Sequence, residues 1–221
     1  EPVVRPVRSE GHSLTMTKRL FRYISHAQVV QDPDVPVPRW GLNDTGRRRV
    51  EILADQPWVR SIGRLVSSDE TKAIEAAAIL ADRLGLELEI RPASGETDRS
   101  ATGYVTRERH DELARRYFAE PERSADGWER AIDSQRRIVD ALADLASSPE
   151  GPPDDPDRPD VAAVGHGGVG TLLWCHLAEV AIDQANDQPG QGHYWTWDRG
   201  QGRMLHRWHP IDATEAPTPL S

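Results

Sequence analysis

The stretch "VAAVGHGGV", Val161–Val169, decides the fold. A short run of small apolar residues reads as a buried strand, the glycines after it as a tight turn, and the following "TLLWCHL" as a helix running through about Ile182. Strand, glycine turn and helix form the repeating unit of a parallel α/β sheet. His166 stands in the turn, directly after the strand. A phosphate-cradling P-loop would continue into Lys and then Ser or Thr, and this turn does not.

The same alternation extends upstream. "LFRYIS" (20–25) reads as a short buried strand and "VPVPRWG" (35–41) as a Pro-stiffened loop, after which Asn43 or Asp44 caps a helix to about Asp55. "GRLVSS" (63–68) is a second strand. Asp69 then opens the helix "DETKAIEAAAILADRLG", apolar at helical spacing and stopped by Gly85, and "LELEI" (86–90) is a third strand. A polar loop (94–104) leads to helices over 107–119 and 126–147. "HYWTW" and "MLHRW" around "DRGQG" read as a closing hairpin. The segment 148–160 is too rich in Pro and Asp to pack and reads as a mobile loop. Residues 1–17 are expected to form a flexible arm and 212–221 a disordered tail, leaving 18–211 as one domain. The expected architecture is a three-layer α/β/α sandwich around a mainly parallel sheet.

Bulk properties narrow the function. A chain of 221 residues can bury one sizeable core, and its formal charge of −9 argues against nucleic-acid or anionic-membrane partners, which need a basic face. No apolar run approaches the roughly 18 residues that span a bilayer, and the N-terminal stretch lacks the hydrophobic core of a signal peptide. The single cysteine, Cys175, lies in an apolar run and reads as a small buried hydrophobe, so a reducing, cytoplasmic location is expected. No metal-ligand cluster is evident, and nothing in the composition specifies an oligomeric state.

In open α/β sheets ligands bind beyond the carboxyl ends of the strands. His26, Ser67 with Ser68, and His166 each follow a strand and should converge on that edge. Each alone has an ordinary structural reading: a hydrogen-bonded histidine, an N-cap in "SSDE", a solvated glutamate at Glu96.

Their order and spacing carry more. The chain resembles the histidine phosphatase superfamily, the phosphoglycerate-mutase-like enzymes, over roughly residues 18–210. "YISHAQ" stands where that family has a strand ending Arg-His-Gly, and "LNDTG" (42–46) loosely matches its Leu-Thr-x-x-Gly. "VSSDETKAIEAA" (66–77) matches its Ser-Ser-x-x-x-Arg-Ala helix start with Lys72 for Arg, Glu96 falls at the offset of its glutamate, and "VAAVGHGGV" matches its second-histidine turn. The resemblance implies a small phosphorylated substrate, no metal and no cofactor. It makes His26 the nucleophile that becomes a phosphohistidine, Glu96 the general acid, and His166 with Lys72 the groups that meet phosphoryl charge. Ser25, Ser68 and Gly167 are the further candidate substrate contacts.

The departures are specific. Ser25 replaces the family's phosphate-gripping arginine, Lys72 replaces a second, and Asp32 stands where an asparagine is usual. Losing one charge-assisted contact costs roughly 1.5–3 kcal/mol of phosphate affinity. Arg22 lies about 13 Å back along an extended strand and cannot compensate. Arg99, beside Glu96, and Arg39, beside Trp40, are the candidates that could. Two readings stay open: a divergent phosphatase that hydrolyses phosphomonoesters in preference to mutase chemistry, or a scaffold that is inactive or repurposed as a ligand-binding module.

Overall fold

Leu20–Ser25 and Asp160–Gly165 are buried at every position, the mark of strands covered on both faces. They are the adjacent central strands of a single six-stranded sheet. The computed structural model describes residues 19–147 and 159–220. In chain order these form β1 (Leu20–Ser25), α1 (Asp44–Ala54), β2 (Ile62–Ser67), α2 (Thr71–Leu84), β3 (Leu88–Ile90), α3 (Arg107–Ala119), α4 (Ala131–Ala146), β4 (Asp160–Gly165), α5 (Gly167–Leu177), β5 (His193–Asp198) and β6 (Arg203–Pro210). The strand order is β3-β2-β4-β1-β5-β6. The four strands from β3 to β1 run parallel, and the β5–β6 hairpin adds an antiparallel edge beside β1.

Helices cover both faces, as the three-layer expectation requires. On one face Val50 and Leu53 of α1 and Ala73, Ala77 and Leu80 of α2 pack on Ile24, Leu65, Ala162 and Val164. On the other, Ile138, Leu142 and Leu145 of α4 and Val169, Leu173 and Cys175 of α5 pack on Phe21, Tyr23, Val161, Ala163 and Trp195. Strand alternation sends Phe21 and Tyr23 to the second face and Arg22 to the first. There Arg22 pairs with Asp160 at 2.6 Å and lies over the Trp58 ring. α3 builds a satellite cluster from Leu113, Tyr117, Phe118 and Trp128.

Four boundaries differ from expectation. α4 begins at Ala131 rather than 126, because Asp126 and Gly127 both take left-handed conformations (φ 53° and 88°). α5 ends at Leu177 rather than near Ile182, with Glu179 left-handed just beyond it (φ 54°). α2 begins at Thr71, and Glu70 at its N-cap makes no side-chain capping bond. Asp160, assigned to the mobile loop, is the first residue of β4; residues 148–158 of that loop and the arm over 1–17 lie outside the described residues. Among the described residues beyond Pro210 no further strand or helix forms, yet the Leu220 N–H donates to Leu205 O (2.9 Å) and its side chain packs beside the β5–β6 hairpin.

Candidate active site

β1 and β4 pair with Ser25 opposite Gly165, so His26 and His166 are each the first residue past a strand end. Their rings meet edge to face, centroids 5.4 Å apart. The His26 N–H donates to Gly165 O (2.9 Å), and its Nδ1 lies 2.8 Å from Ala27 O. A carbonyl only accepts, so Nδ1 carries the ring proton and Nε2 keeps its lone pair. Burial, then the fields of His166 and Lys72, push His26 down to about 3. It is a neutral imidazole at any physiological pH.

His166 is wholly buried at the N-terminus of α5. Its Nε2 lies 2.7 Å from Ser68 Oγ and 3.4 Å from Glu70 Oε1; its Nδ1 bonds to no described residue. Burial lowers its pKa also, against the opposing pull of Glu70 and Glu96. The Tyr23 hydroxyl fixes its backbone from below, donating to His166 O and accepting from His166 N–H.

Glu96 reaches the same helix end. Its carboxylate accepts from Gly168 N and Val169 N (both 3.2 Å) and from Thr97 N (2.9 Å), with Arg99 Nη2 at 3.5 Å. Burial would raise its pKa, but Arg99, His166 and these backbone donors prevail and hold it at about 2. Close approach explains the glycines of the turn. A Cβ at Gly168 would sit 2.7 Å from Glu96 Oε1, and one at Gly165 or Gly170 would sit 2.3 Å from the Tyr23 ring or hydroxyl.

A residue read only as part of a cap lies between these groups. Glu70 Oε1 accepts from Glu96 N (2.8 Å) and faces His166, while Oε2 pairs with Lys72 Nζ. Burial raises Glu70, but His166 and Lys72 together draw it below the usual carboxylate range. The structure, not the sequence, makes Glu70 the N-cap of α2, and its side chain, making no capping bond, is left for these partners.

The remaining candidates divide. Lys72 is buried and reaches Val37 O (3.0 Å) besides Glu70. Ser68 holds His166. Arg99 joins through Glu96, with its other nitrogen 2.5 Å from His110 Nε2 and its guanidinium over Trp128. Ser25 is turned to protein partners: its hydroxyl lies 2.5 Å from Gln188 Oε1 and accepts from His193 N (3.1 Å). Gln188 also covers Gly167, where a Cβ would meet its Nε2 at 2.0 Å. Arg39 is exposed and bonds to none of these residues. Asp32 closes its own turn by accepting from Asp34 N (2.9 Å). Trp40 is buried in its loop, donating to Asp32 O and Val35 O beside Tyr104. Two surface clefts, one beside Cys175 and Ile182 and one beside Arg64 and Leu86, lie away from the histidines. Among the described residues no group of His, Cys, Asp or Glu is arranged to hold a metal, and no helix is long and apolar enough to cross a membrane.

Solved structures share this arrangement of strands. A protein titled mycobacterial hydrolase 1 is 26% identical, with 86% of this chain and 95% of that one aligned and a TM-score of 0.67. A mycobacterial glucosyl-3-phosphoglycerate phosphatase in complex with VO3 is 26% identical over 86% of this chain and 96% of that one, TM-score 0.67. The phosphate complex of a mycobacterial phosphatase of that same description is 24% identical over 89% and 100%, TM-score 0.72, and shows the fold alone. No curated protein matches the chain significantly. The sequence model of the histidine phosphatase superfamily (branch 1) matches residues 25–203, and the chain belongs to that superfamily.

Proposed function

We propose that this protein hydrolyses a phosphate monoester through a phosphohistidine on His26, without a metal. The observation that carries the reading is the His26 ring: neutral, its Nδ1 proton held by Ala27 O, its Nε2 lone pair free beside His166. In the forward step Nε2 attacks phosphorus and the ester oxygen departs. Lys72 and His166 meet the charge on the phosphoryl oxygens, since phosphoryl transfer is mainly positioning and electrostatics. Glu96 is ionised at rest. An anionic phosphoryl group arriving beside it raises its proton affinity, so that it passes a proton to the leaving alkoxide and later takes one from the water that breaks the phosphohistidine.

Membership of the superfamily and likeness to a phosphatase crystallised with VO3, an oxyanion of phosphoryl shape, both support phosphate chemistry. The second reading, a silent or repurposed ligand-binding site, is favoured by one feature: Lys72 is already paired with Glu70, and Ser25, where the resemblance expects an arginine, is turned to Gln188.

Release of inorganic phosphate from a panel of small phosphomonoesters, glucosyl-3-phosphoglycerate included, tests the two across pH 5 to 8. Turnover by the wild type that His26→Ala abolishes is the expected result. No turnover on any ester would sink the phosphatase reading and leave the binding module.

A further inference from the structure

Resting on the phosphatase reading, Glu70 deepens it by naming the form of phosphoryl group that the site takes. Any oxyanion that binds Lys72 Nζ beside the His166 ring must come up against the Glu70 carboxylate, already bonded to Nζ and 3.4 Å from His166 Nε2. Glu70 is tethered there by Glu96 N–H at 2.8 Å, and the Ser68 hydroxyl that holds His166 also takes Glu70 N–H (3.4 Å). The charges facing this point are Lys72 on its own helix, Glu96 and Arg99 from the loop before α3, Arg137 of α4, which pairs with Glu129, and His166 at the head of α5, its proton affinity lowered by burial. Each of these side-chain cations is already paired with a carboxylate, Lys72 with Glu70, Arg99 with Glu96 and Arg137 with Glu129, so no unmatched lysine or arginine among them draws in a dianion.

We infer that Glu70 makes the site select a phosphoryl group that still carries a proton. Two bare anionic oxygens in contact repel. With one proton between them the same contact becomes a charge-assisted O–H···O⁻ hydrogen bond, among the shortest and strongest that proteins form. Phosphate monoesters hold such a proton up to a second pKa of about 6. Sulfate, of equal size and shape, does not carry one. The balance of the forward step is consistent with this choice. Neutral imidazole and a monoanionic ester give a phosphohistidine of net charge −1 and a neutral alcohol, the N–P bond forming as the O–P bond breaks and the phosphoryl proton passing by way of Glu96 to the departing oxygen.

Calorimetric titration of inorganic phosphate and of sulfate at pH 6 reads the selection directly. The wild type should bind phosphate at least about tenfold more tightly than sulfate, the effect of one charge-assisted hydrogen bond replaced by repulsion. Glu70→Gln, whose amide can donate to an unprotonated oxygen, should bring the two anions close to equal by tightening sulfate. A wild type that binds sulfate as well as phosphate overturns the inference, whether or not the variant folds. So does a Glu70→Gln protein that keeps the wild-type preference. If either result accompanies His26-dependent turnover, the phosphatase reading stands and only the role of Glu70 falls. If the wild type binds neither anion and turns over no ester, both fall together.

Discussion

The Tyr23 hydroxyl clasps the His166 peptide from both sides, donating to its carbonyl at 3.0 Å and accepting from its N–H at 2.9 Å. A core residue of β1 thereby sets the angle at which α5 leaves the sheet. Tyr23→Phe leaves two buried backbone groups without a partner, at a cost of about 1–3 kcal/mol. Because the histidine is displaced, not removed, kcat on any ester the protein hydrolyses should fall about tenfold with KM little changed. Thermal melting and steady-state kinetics on the one variant check both halves.

Acid should weaken the protein in two stages. His26 and His206 are held neutral, at about 3 and about 4, each by burial first. Groups whose folded pKa lies below the unfolded value of about 6.5 bind a proton only on unfolding, so stability is full above pH 6.5 and declines as pH falls toward the folded values. At pH 5 His26 alone should account for about 2 kcal/mol of that loss. The depressed carboxylates, Glu96 at about 2 among them, add a second loss only below about pH 4.5. Urea midpoints from pH 4 to 8 should show the first stage diminished in His26→Ala.

Ser25 is a packing residue here, 1% exposed and bonded to Gln188 and His193. Ser25→Ala should cost about 1–3 kcal/mol by leaving His193 N–H unpaired. Ser25→Arg, which supplies the residue the resemblance expects there, should destabilise more, since Gln188 fills the space. Adding Gln188→Ala should recover part of that loss and lower KM for a phosphomonoester. A double-mutant cycle with coupling of about 1–2 kcal/mol is the expected reading.

At the opposite end of β4, Asp160 accepts from Leu20 N (2.9 Å), Arg22 Nη1 (2.6 Å) and Ser61 Oγ (2.6 Å). Asp160→Asn strands a buried guanidinium and should cost about 3–5 kcal/mol. Activity per folded molecule should be unchanged, because the residue sits five positions before the strand end that carries His166. Chemical denaturation beside kinetics below the melting temperature separates the two effects.

How much of this could be read from the residues depended on the range of the interaction. "VAAVGHGGV" and "KAIEAAAIL" carry their strand and helix in local patterning, and the convergence of His26, Ser68 and His166 follows from strand ends sharing an edge, whereas Glu96 was legible only through the family resemblance. The late start of α4 was hidden because Asp126 takes a left-handed conformation that glycine adopts far more readily. Glu70 escaped for a different reason. Its partners are Lys72, His166 and the backbone of Glu96, and no short window of sequence contains all three. The distinction between Arg99, which reaches the site through Glu96, and Arg39, which stays at the surface, is likewise a matter of tertiary direction that residue type does not encode.

The pairing of Ser25 with Gly165 makes the gap between the two histidines a property of the sheet's own lattice. Neighbouring strands keep a spacing of about 4.8 Å whatever connects them. Loops around the site can lengthen, shorten or change charge without altering that gap, so the two imidazoles keep their place whatever those loops become.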